Sequence, residues 1–343
     1  MANILLTTRC VRSCPYCFAK KEVSESPSKD LMSWENLVYL ADFVWASGQR
    51  NLSLLGGEPT LHPDFVDFVL YLIERNFHVT VFSCGVMSDA KLEELETHLN
   101  SKSAERLTIV CNINDPEQTP APPKETESVL RFLSVMGPRT IAGFNIYRLD
   151  FRLEFLIDLI NRYGMKRELR LGISHPIPGV DNAYIAPEKI SRVIGRLFSY
   201  RHLLTRFRIR PGLDCGFPLC KLSDEQLGWL RRLAGKVRFG CGPAIDIKPD
   251  MNVYSCFPLS GFYRRSIFEF NSMKEVVDHF KDLHQTVRNE MAGLYEECDG
   301  CVHRVEGSCA GGGVCQVLNR LTGEAPVRVP EIENELAKAS LSK

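Results

Sequence analysis

The stretch "TTRCVRSCPYCFAK", Thr7 to Lys20, places Cys10, Cys14 and Cys17 within eight residues, directly after the apolar run "ANILLTT" of residues 2–8. The apolar run reads as a strand, and the cysteines occupy the loop at its C-terminal end. Parallel α/β architectures build their active sites at that end of the sheet. Iron–sulfur cubanes are held by cysteine thiolates, normally four. Three thiols from one loop leave one iron open, and an open coordination position implies an exogenous ligand, as at a catalytic zinc. A zinc ion with a distant fourth ligand is the alternative.

Outward from this loop the chain alternates between strands and helices. "SWENLVYLADFVWASG" (33–48) has helical spacing and closes on Gly48 as a C-terminal cap. "NLSLL" (51–55) is a strand that runs into Gly56-Gly57. "PDFVDFVLYLIERN" (63–76) carries an apolar stripe of Phe65, Phe68, Val69, Leu72 and Ile73. Further strands are expected at 78–84, 106–112, 139–147 and 168–174, with helices at 89–100, 127–136, 151–164 and 187–204. Six strand-then-helix units imply a parallel sheet with helices packed outside it. Right-handed crossovers can curl such units into part of a barrel, although the pattern alone does not separate that from a flatter doubly wound sheet. We take the fold as α/β: a partial (β/α)6 TIM-like barrel over residues 1–205, a small Cys-rich iron–sulfur domain over 206–320, and a tail over 321–343 with a possible terminal helix.

Composition narrows the partners. Among 343 residues, Lys plus Arg and Asp plus Glu both number 42, so charge gives no reason to expect nucleic acid or an anionic membrane. No apolar run approaches the roughly 18 residues of a membrane span, and the N-terminus lacks a secretion signal, so a cytoplasmic location is expected. In a reducing compartment the 13 cysteines read as metal or redox ligands rather than disulfides. Cys84 and Cys111 lie apart from the others and read as small buried hydrophobes.

Cys10-x3-Cys14-x2-Cys17, with the aromatic Tyr16 before the last cysteine, resembles the radical S-adenosylmethionine (SAM) superfamily. "LLGGEPTLHPDF" strengthens the resemblance, because Gly56-Gly57-Glu58-Pro59 follows the second strand, where that superfamily carries a GGE motif. The resemblance implies that Cys10, Cys14 and Cys17 hold a [4Fe-4S] cluster and that SAM occupies its open iron. It also implies that the GGE loop meets the SAM amino group, with Glu58 in the acidic position and the glycines allowing close backbone approach. One-electron reduction, from a flavodoxin or ferredoxin-type donor, then cleaves SAM to a 5′-deoxyadenosyl radical that abstracts a hydrogen atom. By position at the strand ends, Ser83, Asn112 and Asn145 are candidates for the ribose and carboxylate of SAM, alongside Tyr16. His175 could face a substrate, with a structural role as the alternative. Arg206, Arg208 and Arg210 would share one face of a strand, as a carboxylate clamp or a solvated face.

The other eight cysteines, Cys215, Cys220, Cys241, Cys256, Cys298, Cys301, Cys309 and Cys315, are enough for two closed four-iron clusters. "CGPAIDIKPDMNVYSCFPL" followed by "CDGCVHRVEGSCAGGGVC" resembles the SPASM extension of radical SAM enzymes, with departures. Met251 stands where a glycine is usual, the later spacings are x2, x7 and x5, and no cysteine follows Cys315, while Cys215 and Cys220 come early. A sequential split of ligands gives Cys215, Cys220, Cys241 and Cys256 to one cluster and the last four to the other; the interlacing usual in the family would move Cys315 to the first. A zinc ribbon on Cys298 and Cys301 is the competing reading. Ser223 and Gln226 form a capping-box pair at the start of a short helix.

The resemblance implies first a peptide- or protein-modifying enzyme that makes crosslinks, oxidises side chains or epimerises residues. With the cysteine loop starting at residue 10, a precursor peptide would need a separate recognition protein. Sulfatase-maturing relatives carry an acidic residue after a SPASM cysteine; Phe257 follows Cys256 here, against that activity. The second reading is a small-molecule oxidoreductase or mutase acting on a sugar, amino acid or cofactor precursor. The third is a non-catalytic iron–sulfur electron carrier.

Overall fold

The computed structural model describes residues 2–25, 30–99, 105–119, 122–233, 240–290 and 293–324. Its strands are β1 (Ala2–Thr7), β2 (Asn51–Gly56), β3 (His78–Ser83), β4 (Leu107–Asn112), β5 (Thr140–Ile146), β6 (Glu168–Ile173), β7 (Arg210–Leu213), β8 (Ile245–Ile247), β9 (Asn252–Ser255) and β10 (Arg265–Ser266). Its helices are α1 (Lys20–Glu25), α2 (Trp34–Ala46), α3 (Phe65–Glu74), α4 (Asp89–Leu99), α5 (Pro123–Met136), α6 (Glu154–Arg162), α7 (Ile190–Ser199), α8 (Arg201–Arg206), α9 (Asp224–Leu233), α10 (Met273–Glu290), α11 (Val302–Val305) and α12 (Val314–Glu324).

All ten strands form one sheet in the order β10-β9-β8-β1-β2-β3-β4-β5-β6-β7. Strands β1 to β7 pair in parallel in chain order. A doubly wound sheet must reverse its strand order at a switch point. This one never does, so every crossover runs the same way, the helices gather on one face and the sheet curls toward a barrel. The barrel stays open, because the free edge of β1 takes β8 in parallel rather than β7. Ile4 and Leu6 of β1, Leu52 and Leu54 of β2, and Val79 and Val81 of β3 share one core cluster with Leu37, Leu40 and Val44 of α2 and with Phe65, Phe68, Val69, Leu72 and Ile73 of α3. Leu5, Ser53 and Val110, on the opposite face by the two-residue period, are buried as well, as a parallel sheet requires.

Local chemistry agrees with the sequence at the helix ends. Gly48, at φ +76°, donates its N–H to the Trp45 carbonyl at 2.9 Å and terminates α2. The Gln226 N–H donates to Ser223 Oγ at 3.3 Å, and the Ser223 N–H to Gln226 Oε1 at 3.0 Å, which closes the capping box. The arginine alternation at 206–210 is a correction. Arg206 ends α8, Arg208 adopts φ +54°, and only Arg210 enters β7. The Ile209 N–H reaches the Leu204 carbonyl at 2.9 Å and the Arg208 N–H reaches that of Thr205 at 3.0 Å. This is a Schellman stop, and it breaks the strand face the alternation suggested.

Residues after β7 share the main core. The hairpin of β8 and β9 continues the sheet, and Met273, Val276, Phe280 and Leu283 of α10 belong to the main cluster. Val287 turns to a smaller cluster with Leu259, Val314, Cys315 and Leu318. Helix α12 carries the chain into the expected tail as far as Glu324; the rest of 321–343 lies outside the described residues. Among the described residues, no helix is long and apolar enough to cross a membrane.

Candidate cluster and cofactor site

The C-terminal ends of β1 to β6 open onto one mouth of the barrel, where the cysteine loop lies. The Arg9 N–H donates to Thr7 Oγ1 at 3.1 Å as the chain leaves β1. Within the loop, the Arg12 N–H reaches Cys10 Sγ at 3.4 Å, and the Cys17 N–H donates to the Cys14 carbonyl at 3.1 Å. The segment after β6 pins it from across the mouth: the Ala183 N–H donates to the Pro15 carbonyl at 2.8 Å, and Lys20 Nζ donates to the Asp181 carbonyl. Beyond Cys17, the buried Glu22 of α1 pairs with Lys248 Nζ at 3.0 Å and with Arg264. The C-terminal hairpin therefore holds the helix that follows the three cysteines.

Burial pushes the Cys10 thiol up, and pushes Cys17 to about 12 with smaller contributions from Cys14 and Cys10. The three thiols lie within electrostatic reach of one another, and a charged neighbour adds to the resistance of Cys10 and Cys17 to ionisation. A bound cation inverts that balance and takes up the thiolates as ligands. The donor set is all sulfur and three in number, which fits a cubane with one open iron. Among the described residues, no three His, Cys, Asp or Glu side chains converge tightly enough for a single metal ion; a cubane holds its thiolates farther apart, across the body of the cluster.

The GGEP turn packs directly on this loop. The Gly57 N–H donates to the Thr7 carbonyl at 2.8 Å and the Glu58 N–H to that of Arg9 at 2.7 Å. A Cβ at Gly56 would overlap the Thr7 carbonyl oxygen, and one at Gly57 the Arg9 carbonyl oxygen. The close approach that demands glycine here is to the cysteine loop's own backbone. Glu58 is buried and fully engaged. Its Oε1 accepts from Thr60 N–H (3.3 Å), Thr60 Oγ1 (2.7 Å) and Ser83 Oγ (2.8 Å), and its Oε2 from Cys84 N–H (2.7 Å). The carboxylate thus braces β2 to β3, and Ser83 belongs with it.

A second polar chain joins the other candidates. Tyr16 is buried, stacks on Tyr147 at 4.8 Å, and bonds Asn114 Oδ1 through its hydroxyl. Asn112 Nδ2 donates to that hydroxyl at 3.1 Å, while its Oδ1 accepts from Asn145 Nδ2 at 3.0 Å. Asn145 Oδ1 is buried without a partner among the described residues, in space that a Cβ at Gly172 would fill. Tyr16, Asn112 and Asn145 therefore meet, and Ser83 stands apart with Glu58. Sequence reading missed Arg12, whose buried guanidinium bonds the Asn112 carbonyl at 2.9 Å and pairs with Glu125 at 2.6 Å. Its position inside the cysteine loop was the available signal. His175 is buried with both ring nitrogens unpartnered among the described residues, and burial lowers its pKa to about 4. Cys84 and Cys111 are buried, and Cys111 belongs to the main core.

The eight C-terminal cysteines come together in two places. Cys315 packs in the smaller apolar cluster with Cys241 against it, and lies within electrostatic reach of Cys241, Cys215 and Cys256. Cys220 lies within reach of Cys298 and Cys309. Cys301 follows Cys298 in one turn, with the Cys301 N–H donating to the Cys298 carbonyl at 3.4 Å.

Residues 4–110 match the family model "Radical SAM superfamily". Among curated proteins, "Molybdenum cofactor biosynthesis protein 1" of Bos taurus is 39% identical over 70 residues, 20% of this chain and 11% of that protein. The "Probable GTP 3′,8-cyclase" of Archaeoglobus fulgidus is 24% identical over 214 residues, 60% of this chain and 71% of that one. The chain thus spans about a tenth of the length of the first of these relatives. Among solved structures, anSMEcpe with bound AdoMet superposes with a TM-score of 0.64 at 15% identity, over 98% of this chain and 96% of that one. Streptococcus suis SuiB bound to precursor peptide SuiA gives 0.57 at 12%, over 79% and 62%. At these identities the structural likeness carries the fold alone. The three thiols on the loop after β1 and the glycine turn packed on that loop both lie within residues 4–110, the part of the chain that matches the radical SAM superfamily model.

Proposed function

We propose that the chain is a radical SAM enzyme that cleaves SAM reductively and abstracts a hydrogen atom from its substrate. The cysteine loop bolted to the GGEP turn carries this reading. Cys10, Cys14 and Cys17 would hold a [4Fe-4S] cluster and SAM its open iron; together they supply a 5′-deoxyadenosyl radical on one-electron reduction. The chain's own residues fix the geometry. The Thr7 and Arg9 carbonyls hold the glycine turn against the loop, Glu58 and Ser83 brace β2 to β3, and Tyr16 and Asn112 orient Asn145. Asn145 Oδ1 is an acceptor with no partner among the described residues, and so is the candidate for a SAM hydroxyl or amino group. A buried polar atom of that kind costs about 1–3 kcal/mol until it is paired.

For the substrate, we take a peptide or protein first. The cysteine pattern from Cys241 to Cys315 resembles the SPASM extension, and radical SAM enzymes that carry it mostly modify peptides or proteins. A small molecule is the second reading, favoured by the cyclase name of the Archaeoglobus fulgidus relative. The eight further cysteines would close two auxiliary four-iron clusters of a SPASM-like region over residues 206–320, with a flavodoxin or ferredoxin-type protein as electron donor. The anaerobically reconstituted protein, incubated with SAM and dithionite, is expected to release 5′-deoxyadenosine, and Cys14→Ala to abolish that release. Absence of the product from the wild-type protein refutes the assignment; its persistence in Cys14→Ala refutes the site. A neighbouring gene for a short precursor peptide supports the first substrate class, and a cofactor or sugar pathway the second.

A further inference from the structure

Resting on the reading of two auxiliary clusters, we propose that the neighbouring pair Cys215 and Cys220 is divided between them. Cys215 completes one site with Cys241, Cys256 and Cys315; Cys220 completes the other with Cys298, Cys301 and Cys309.

The first set is built around the end of the β8–β9 hairpin. The Ala244 N–H points at Cys256 Sγ at 3.4 Å, while the Cys256 N–H donates to the Ala244 carbonyl at 2.9 Å. This pair sets Cys256 beside the segment that leaves Cys241. Arg288 of α10 donates to the Cys241 carbonyl, and Cys241 packs on the cluster of Leu259, Val287, Val314, Cys315 and Leu318. Cys315 reaches this site from the other end of the chain on α12. Cys215, just past β7, lies within electrostatic reach of Cys241 and Cys256.

The second set is a knot of loops. Tyr295 ties Cys220 into it: Lys221 Nζ stands 3.9 Å over the Tyr295 ring, and the Tyr295 carbonyl accepts the Cys298 N–H at 3.0 Å. The Leu294 N–H donates to the Gly311 carbonyl at 2.7 Å, and the Gly311 N–H points at Cys309 Sγ at 3.4 Å. These contacts close residues 294–298 onto 309–311, with Cys301 between them at the start of α11. Gly293 has no room for a Cβ beside the Cys298 side chain.

Between the two sets runs "CGFPLC", residues 215–220. Phe217 is buried in the main core and fixes the middle of this segment, so its two cysteines leave toward different sites. Five residue steps span at most roughly 17 Å, which tethers the two sites closely. In this arrangement Cys220 supplies the fourth ligand of the second site, beside Cys298, Cys301 and Cys309. A sequential split would require Cys220 to reach Cys241 and Cys256, away from Tyr295. Two closed sites joined by six residues suit passage of electrons, because neither needs an open iron.

The test counts iron per chain and records Mössbauer spectra on the full-length reconstituted protein, with circular dichroism to confirm folding. The wild type is expected to carry about twelve irons in three clusters, and Cys220→Ala about eight. Cys220→Ala combined with Cys301→Ala should still hold about eight, because both changes open the same cluster, whereas Cys220→Ala combined with Cys241→Ala should fall to about four. The reverse pattern in the two double variants overturns the partition alone. A wild type with only about four irons overturns the auxiliary-cluster reading itself, and the partition with it.

Discussion

Glu58 offers the sharpest separation between a brace and a ligand-binding acid. In Glu58→Gln the side chain keeps its shape but loses its charge and half its acceptors. With the amide oxygen at the Oε1 position, the contacts from Thr60 and Ser83 survive as neutral bonds. The amide NH2 then faces the Cys84 N–H, donor against donor, where the carboxylate accepted at 2.7 Å. One buried N–H without a partner costs about 1–3 kcal/mol, and the change from charge-assisted to neutral bonds adds to it. Relief from burying a charge offsets part of the sum. A net loss of about 1–3 kcal/mol corresponds to roughly 5- to 150-fold faster local opening. Hydrogen exchange read by mass spectrometry on peptides covering 58–62 and 82–86, without SAM, is the direct assay. If both peptides exchange at wild-type rates without SAM, and the substitution only weakens SAM binding, then Glu58 is a ligand-binding acid and the bracing argument is wrong.

Three further outcomes follow from named contacts. Gly57→Ala drives a Cβ into the Arg9 carbonyl oxygen and should cost about 1–3 kcal/mol and the N-terminal cluster's iron. Gly195→Ala in α7, with nothing nearer than 3.9 Å, should be neutral or slightly stabilising; equal thermal shifts in the two variants would contradict this. His175 has a folded pKa of about 4 against an ordinary value of 6.5, so the unfolded chain binds more protons between those values. Stability should therefore fall as pH drops from about 6.5 to 4, by roughly 3 kcal/mol at the acid limit. His175→Leu should flatten that limb of a urea-midpoint titration, and an unchanged slope would rule the imidazole out as its source. Arg152 makes two bonds, at 2.9 and 2.8 Å, to the buried Asp115, whereas Arg148 pairs with the exposed Asp150. Removing Arg152 should cost about 1–3 kcal/mol and removing Arg148 less than about 0.5 kcal/mol, compared by chemical denaturation.

The sequence by itself determined the parts whose chemistry is local. Three thiols at fixed spacing after an apolar strand, the glycine turn after the next strand, the apolar stripe of α3 and the capping box at Ser223 all follow from a few adjacent residues. Tertiary structure decided what depends on distance across the fold. Barrel against doubly wound sheet turned on strand order, which no local pattern encodes. The arginine alternation at 206–210 looked like a strand until buried Leu204 and the left-handed Arg208 closed a helix there. Glu58 had the residue type expected of a SAM-facing acid, but only the packed structure shows four protein donors around it. Spacing likewise left the C-terminal cysteines open to a sequential or an interlaced split. The structure brings Cys315 to Cys241 and Cys220 to Cys298, because thiols far apart in the chain converge only once the hairpin, α10 and α12 have packed.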